Sequence, residues 1–113
     1  MMRLNILSTY LRAIILGTKT VEGRLAKPEY LALKPKDRIC FTDTTGTCCE
    51  AEVLKVRQFS DFKSMLEAST LQACLPGVTS IQQGVDIYRS FPGYKESEKT
   101  LGVVAIHIKK QGN

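Results

Sequence analysis

The strongest constraint on the fold lies in segment 47–58, where the apolar face of a strand changes sides. Apolar residues occupy alternate positions at Cys49, Ala51 and Val53, and then the opposite positions at Leu54 and Val56. Because successive side chains of a strand point to opposite faces of its sheet, this switch requires a β-bulge or a bend at a barrel corner. The segment therefore predicts a long strand in a strongly curved sheet.

The elements around this strand predict an α+β fold. Apolar periodicity and turn residues indicate strands at 3–7, 18–25, 38–43, 47–58 and 101–108, helices at 8–16, 60–68 and 80–88, and one helical turn at 29–33. Strands and helices do not alternate as a parallel sheet would require. Segment 101–108 is apolar on both faces, so we expect it to be the central strand. We predict a small, mostly antiparallel β-barrel with flanking helices, formed by residues 1–113 as one domain.

Capping residues define the expected ends of the helices. Ser8 is expected to cap the first helix, and Gly17 to end it. Residues 60–61 open the second helix, and Ser80 with Gln83 forms an S-x-x-Q capping box at the third.

Two further segments are expected to lack regular structure. Segment 71–79 contains a Pro-Gly pair and is predicted to be irregular, and 91–94 is predicted to be a turn. The mixed charges between Lys95 and Lys99 are typical of a solvated loop, one that could close over a ligand cleft.

Composition favours an anionic partner and gives no indication of a metal. Lys and Arg number 16 against 11 Asp and Glu, and the resulting net charge of +5 suits RNA or another polyanion but equally serves solubility. The cysteines are Cys40, Cys48, Cys49 and Cys74, without a C-x-x-C pair. Cys48 and Cys49 are adjacent and would point to opposite faces of a strand. We therefore expect reduced thiols, no metal and no cofactor.

No apolar run approaches the roughly 20 residues that a membrane-spanning helix needs. Polar residues also interrupt the apolar N-terminal segment where a signal peptide would have its core. We expect no membrane association and a cytoplasmic location, with the nucleus as the alternative.

Segment 17–24, Gly-Thr-Lys-Thr-Val-Glu-Gly-Arg, is the best candidate for a functional site. Its glycines bracket two cations and one carboxylate between the first helix and the next strand. Lys19 can neutralise a phosphate or act as a base, and Arg24 can bind a phosphate or a base edge through two hydrogen bonds. Glu22 can orient either cation or accept a proton.

Strand geometry places a condition on this site. In a regular strand Glu22 and Arg24 share a face, whereas Lys19 points to the other face. The three head groups converge only if Lys19 lies in a turn before the strand or if a bulge reorients it. The alternative is an exposed Glu22–Arg24 pair beside a solvated Lys19, and such a pair would contribute little.

A second basic group follows within a dozen residues and consists of Lys27, Lys34, Lys36 and Arg38. These cations can follow a phosphate backbone while Tyr30, which lies among them, stacks on a base. Tyr30 packed under a loop is the alternative. Lys36, Arg38 and Tyr30 are therefore added to the candidate ligand-binding residues.

His107 alternates with apolar residues in the last predicted strand. This setting favours a hydrogen-bonded structural histidine over a catalytic one. No Ser or Cys nucleophile motif accompanies it.

The pattern G-x-K-x-x-E-x-R, formed by Gly17, Lys19, Glu22 and Arg24, resembles the signature of the ASCH domain, the activating signal cointegrator homology domain of the PUA-like superfamily. The turn at 33–39 into a strand and the helices before the last strand are similar as well. The resemblance spans nearly the whole chain. It implies a PUA-like β-barrel whose cleft, next to the first helix, receives RNA or a nucleobase-like ligand.

The family also includes small amidohydrolases that act on acetylated cytidine. The chain resembles those enzymes at Lys19, but Glu22 stands where they have a threonine. They use a further glutamate in the later helical region, where this chain has Glu67 in a different local context.

Three functions follow as hypotheses. The first is binding of RNA or a modified nucleoside in a basic cleft formed by Lys19, Glu22 and Arg24. The second is hydrolysis of N-acylated cytidine-type nucleosides, with Lys19 as base or activator of a nucleophile and Glu22 or Glu67 relaying protons. The third is a protein-interaction module without a ligand, acting in a larger complex.

Overall fold

The computed structural model of the chain describes residues 1–112, which form five strands and six helices. In chain order the elements are β1 (Met2–Asn5), α1 (Ser8–Leu16), β2 (Val21–Leu25), α2 (Pro28–Leu31), β3 (Arg38–Thr42), β4 (Cys48–Phe59), α3 (Phe62–Ser69), α4 (Leu71–Cys74), α5 (Ile81–Arg89), α6 (Tyr94–Leu101) and β5 (Val103–Lys110).

The strands form one curled sheet in the order β1-β3-β4-β5-β2. β1 and β3 run parallel, whereas β3 and β4, β4 and β5, and β5 and β2 are antiparallel neighbours. Since β1 and β2 are the outer strands of the described chain and do not pair with each other, the sheet is a half-barrel with one open side. The predicted α+β class and mostly antiparallel, curved sheet are confirmed.

The bulge predicted in the long strand is present in β4. Val53 and Lys55 pair with consecutive residues of β5, so Leu54 is the extra residue and is 47% exposed. Val53 and Val56, on either side of it, face the same core. A bulge bends its strand and increases the local twist, which curls the sheet around that core.

β5 lies inside the sheet, between β4 and β2, and each of its faces supports a separate core, as its two apolar faces predict. The middle strand of the five is β4 and not β5, so the predicted central position is corrected to an interior one. Val104 and Ile106 point into a core shared with α1 and α2, whereas Val103 and Ala105 point into a core shared with α3 and α5. All four side chains are fully buried. Since each large aliphatic side chain contributes about 1.5–3 kcal/mol when buried, β5 holds a helical layer on each face of the sheet.

Residues 94–101 form helix α6 and not the solvated loop that their mixed charges predict. Glu98 points inward from this helix and is buried. Its carboxylate accepts a hydrogen bond from the backbone N–H of Phe62 at 2.8 Å and pairs with Nε of Arg89 at 2.8 Å. This carboxylate links α3, α5 and α6, a tertiary contact that the charge pattern of an isolated segment does not reveal.

Two smaller predictions are also wrong. The segment 71–79, predicted to be irregular, contains the helical turn α4. Ser8 does not cap α1, because Leu7 occupies the N-cap position and the Ser8 hydroxyl donates to Asp43 Oδ2 at 2.8 Å. The hydroxyl thus makes a tertiary contact where local rules predict a helix cap.

The other helix ends agree with the predicted signals. The side chains of Asp61 and Ser80 accept hydrogen bonds from the backbone N–H groups of Ser64 and Gln83. Gly17 ends α1 in the left-handed conformation, with φ of 84°. In residues 1–112 no helix is long and apolar enough to cross a membrane.

Candidate functional site

The connection between α1 and β2 turns Lys19 toward Glu22 and Arg24. After Gly17, the backbone N–H groups of the next two residues still bond to the last turn of α1, and β2 begins only at Val21. Lys19 therefore lies in a turn before the strand, where the alternation of strand side chains does not apply. The structure meets the geometric condition that the sequence places on this site.

Lys19 is buried, with 3% of its surface exposed. Its ammonium group donates to the carbonyl oxygens of Val21, at 2.6 Å, and Cys74, and it lies 3.2 Å from Glu22 Oε1. These three acceptors match the three N–H donors of a lysine. The ammonium also lies 5.6 Å from the centre of the Tyr10 ring, within the range of a cation–π contact. This burial contradicts the alternative of a solvated Lys19.

Lys19 also satisfies a carbonyl at the end of the short helix α4. Cys74 is the last residue of α4, and its carbonyl has no N–H donor within the helix. The buried ammonium group satisfies it across 55 residues of sequence.

Arg24 joins the two outer strands of the half-barrel. Its Nε donates to Glu22 Oε2 at 2.6 Å, and its Nη2 donates to the backbone carbonyl of Asn5 in β1 at 2.7 Å. The guanidinium thus spans the open side of the sheet between β2 and β1. A guanidinium has five N–H donors. Two of them have partners at 2.6 Å and 2.7 Å in residues 1–112, and the Tyr94 hydroxyl lies close to the same guanidinium.

The carboxylate of Glu22 is ionised and held between the two cations. Burial alone would raise the pKa of Glu22, but the charges and hydrogen bonds of Lys19 and Arg24 outweigh it and lower that pKa below its ordinary value. Burial opposes the charge of Arg24 in the same way, and the Glu22 carboxylate overcomes it and raises the pKa of the guanidinium. The three groups together carry one net positive charge, which favours an anionic or electron-rich ligand.

These side chains border a cavity of about 340 Å³. This volume lies within the range of small-molecule sites, and such sites combine apolar walls with a few polar groups. The lining residues are Asn5, Ile6, Leu7, Tyr10, Lys19, Glu22, Gly23, Arg24, Thr44, Leu75, Tyr88, Phe91 and Tyr94. Ionic groups come from β2 and its preceding turn, while apolar and aromatic groups come from α1, α5 and the start of α6.

Aromatic packing fixes one wall of the cavity. Phe62 stacks between Tyr88 and Tyr94, with ring centres 4.3 Å and 5.9 Å away and planes within 4°. Phe91 meets Tyr94 edge to face at 5.5 Å. The Tyr88 hydroxyl is buried and has no hydrogen-bond partner among the described residues. Burial raises the pKa of this hydroxyl well above its ordinary value, so it remains protonated and able to donate.

The second basic group does not join this cavity. Tyr30, a residue of α2, is 9% exposed and packs in the core that α2 shares with α1. Lys36 and Arg38 are exposed, and Arg38 pairs with Glu50 at 3.4 Å. Glu67 lies on the exposed face of α3. None of these four residues is among the described residues that line the cavity. Their roles in ligand binding or proton transfer stay predictions.

His107 differs from the predicted hydrogen-bonded histidine. Its Nε2 atom is buried and has no partner in the described chain. Burial, and then the charges of Lys55 and Arg57, lower the pKa of the imidazole.

The four cysteines are free thiols. Cys49 is buried and Cys48 exposed, as expected for neighbours on opposite faces of β4. Within residues 1–112, no group of three or more His, Cys, Asp or Glu side chains is placed to hold a metal ion.

The sequence does not identify the aromatic residues of the cavity as a group. Tyr10 and Tyr88 lie on helices, where the apolar period places them among core residues. Phe91 and Tyr94 flank a Pro-Gly pair, which predicts a turn without indicating what the turn faces. They meet only because α5 and α6 pack beside β2.

The model of the ASCH domain family matches residues 4–112. The crystal structure of a hypothetical protein, PH0355, is similar with 38% identity and a TM-score of 0.87, over 96% of this chain and 97% of that chain. The solution structure of the protein PF0455 from Pyrococcus furiosus is similar with 33% identity and a TM-score of 0.77, over 99% of this chain and 98% of that chain.

The ASCH protein of Zymomonas mobilis has 18% identity and a TM-score of 0.64, over 96% of this chain and 68% of that chain. At this identity the likeness shows the fold alone. No curated protein matches the chain significantly. The family match and the geometry of the G-x-K-x-x-E-x-R segment agree, and the chain belongs to the ASCH domain family.

Proposed function

We propose that this ASCH domain binds RNA or a modified nucleoside, with a base held in the aromatic cavity and recognised by Arg24. The observation that carries the proposal is the guanidinium group itself. Glu22 and the Asn5 carbonyl fix its orientation, and the guanidinium borders the cavity with N–H groups that make neither of these bonds. A fork of donors fixed in this way suits the acceptor edge of a base or a phosphate.

The cavity walls favour a planar ligand. Tyr10, Tyr88, Phe91 and Tyr94 supply half of the eight Phe and Tyr residues in the chain, and the chain has no tryptophan. Stacking of a base on an aromatic side chain contributes about 1–3 kcal/mol. The buried Tyr88 hydroxyl has no partner among the described residues, so it can form a further hydrogen bond with the ligand. That bond would remove the cost of an unsatisfied buried polar group.

Lys19 and Glu22 support Arg24 and do not act on the ligand themselves. All three donors of the Lys19 ammonium have acceptors, and each carboxylate oxygen of Glu22 faces a cation. The two cations lower the pKa of the Glu22 carboxylate, which makes it a weaker general base. This arrangement supports binding over hydrolysis.

Isothermal titration with cytidine, N-acetylated cytidine and a short single-stranded RNA tests the proposal. Loss of one charge-assisted hydrogen bond costs about 1.5–3 kcal/mol, so Arg24→Gln is expected to weaken binding about 10- to 100-fold. Arg12→Gln removes the same charge from the exposed face of α1 and is the matched control. Circular dichroism establishes that both variants fold.

Equal affinities of wild-type protein and a folded Arg24→Gln variant for every probe would refute the proposal. Incubation with N-acetylated cytidine addresses hydrolysis separately. Release of free cytidine by the wild-type protein, lost in Lys19→Met, would replace binding by amidohydrolysis as the function.

A further inference from the structure

A row of cations lies on the sheet outside the cavity, on the side where β4 passes the end of β3. Lys55 pairs directly with His107 across β4 and β5, and Arg57 lies two residues further along the same face. Lys109 follows His107 by two residues on β5 and therefore shares this face. Lys55, Arg57 and Lys109 are exposed. We call these three residues and His107 the β4–β5 basic row.

Within residues 1–112 no carboxylate lies at ion-pair distance from the cations of the basic row. The ion pairs within 4.0 Å in residues 1–112 involve Lys19, Arg24, Arg38 and Arg89, and none involves the basic row. Glu52 is the cross-strand neighbour of Lys109, but the two do not approach to within ion-pair distance in the described structure. Three cations on one face, Lys55, Arg57 and Lys109, attract an anion.

Two of these side chains have a geometry that suits phosphate. The Arg57 guanidinium lies 5.0 Å from the centre of the Phe59 ring, and stacking of this kind leaves its N–H edges free. Lys55 and Arg57 are two residues apart on a strand, about 6.6 Å along its axis. Consecutive phosphates of an extended single-stranded nucleic acid have a comparable spacing.

The basic row also lies close to the cavity. A second hollow, lined by Gly17, Thr20, His107, Lys109 and Lys110 among others, is bordered by Lys19. Lys19 also borders the aromatic cavity. The short turn before β2 thus separates the two hollows, and a chain that leaves one can cross to the other.

We propose that the β4–β5 basic row binds the phosphate backbone of a single-stranded RNA whose base occupies the aromatic cavity. This inference rests on the proposed function and makes it more specific, because a free nucleoside would leave the basic row unused. A simpler role for these cations is to protect the free edge of β4. The pairing of β3 with β4 stops at Glu52, so the later residues of β4 have no partner in β3. Charged residues such as Lys are common on exposed strand edges, where they prevent pairing with another chain. The two roles differ in their response to salt.

The test measures RNA affinity as a function of salt concentration for Lys55→Gln/Arg57→Gln. Each phosphate contact of a single strand contributes about 0.7 to the slope of log K against log salt concentration, so the double variant is expected to lower the slope by about 1.4. Arg12→Gln/Lys63→Gln removes the same charge from exposed positions of α1 and α3 and is the matched control, for which a smaller change in slope is expected. Cytidine affinity should be the same for all three proteins.

His107 gives an independent readout because it is the only histidine in the chain. The signals of its imidazole ring in an NMR spectrum should shift when RNA is added to the wild-type protein, and the shift should be weaker with the double variant. Inorganic phosphate at high concentration should produce the same effect in part.

Each outcome separates this inference from the proposed function. An unchanged salt slope in Lys55→Gln/Arg57→Gln, together with weaker binding by Arg24→Gln, overturns the inference and leaves the proposed function in place. Self-association of the double variant with undiminished RNA affinity assigns the cations to edge protection and also overturns it. The last outcome is that Lys55→Gln/Arg57→Gln loses as much affinity for a polyglutamate peptide as it loses for RNA. That result would overturn the inference in favour of an acidic protein partner.

Discussion

Replacing Glu22 with glutamine tests whether the ion cluster of the cavity supports the fold as well as the site. The carboxylate lies 3.2 Å from the Lys19 ammonium and 2.6 Å from Arg24 Nε, and both Lys19 and Glu22 are buried. Glutamine keeps the shape but removes the charge, and its amide N–H₂ group must face one of the cations. The buried Lys19 then has no counter-charge.

The expected loss in the free energy of unfolding is about 3 kcal/mol. Removing one partner of a buried ion pair costs about 3–5 kcal/mol, because the other charge remains buried without compensation. The lower end applies here because two carbonyl oxygens still accept hydrogen bonds from Lys19. With a urea m-value of about 1–3 kcal/mol per molar, the midpoint of urea denaturation should fall by about 1–3 M.

The same substitution should change how stability depends on pH. The pKa of Glu22 is lowered from an ordinary value of 4.5, so the unfolded chain binds a proton at a pH where the folded chain does not. Its contribution to stability is therefore complete above about pH 4.5 and declines as the pH falls toward the pKa of the folded state. The difference between wild type and Glu22→Gln should shrink over that range.

Glu67→Gln is the matched control, since it removes the same charge from the exposed face of α3 and should change stability by less than about 0.5 kcal/mol. Two results would refute the reasoning. One is a Glu22→Gln variant that unfolds within about 0.5 kcal/mol of the wild type at pH 7. The other is a stability difference that stays the same between pH 7 and pH 3.

Three further predictions concern the surroundings of the cavity. In Gly23→Ala the new methyl group would lie 2.8 Å from the Tyr88 hydroxyl, so we expect a loss of about 1–3 kcal/mol in thermal unfolding and weaker ligand binding; a gain in stability would contradict this packing. Glu98→Ala leaves the first N–H of α3 and a guanidinium without their acceptor, and urea denaturation should show a loss of about 1–3 kcal/mol or more. Burial raises the pKa of the Cys74 thiol to about 11, whereas Cys48 is exposed. A thiol reagent at pH 8 should therefore modify Cys48 first, and Cys48→Ser should abolish the fast phase of thiol modification.

The sequence predicted the parts of the fold that depend on local periodicity. The bulge at Leu54 and the burial of β5 on both faces follow from which side of a strand carries apolar residues, and both are confirmed. The same pattern does not rank interior strands, and the middle one is β4. Helix α6 was missed because its inward face depends on Glu98, a charged residue whose burial requires partners from two other helices. Single-sequence patterns assign such a residue to solvent.

The same distinction applies to the candidate site. Lys19, Glu22 and Arg24 are within six residues of one another, so a short motif suffices to group them. The aromatic wall draws on residues far apart in sequence, such as Tyr10 and Tyr88, and their meeting depends on helix packing. Motif reasoning therefore identified the charges of the cavity and not its shape.

The position of Arg24 connects the stability of the half-barrel with ligand binding. Its side chain bridges the outer strands β2 and β1, which form no backbone pairs with each other in the described chain. The same guanidinium borders the cavity. A ligand that accepts hydrogen bonds from Arg24 in this orientation binds the folded chain and not the unfolded one, so it must raise the unfolding temperature by mass action. Because the orientation of the donors depends on the open side of the sheet keeping its width, substitutions in β1 that move the Asn5 carbonyl should weaken binding although they touch no ligand. The open side of the half-barrel is thus part of the binding site as much as it is a feature of the fold.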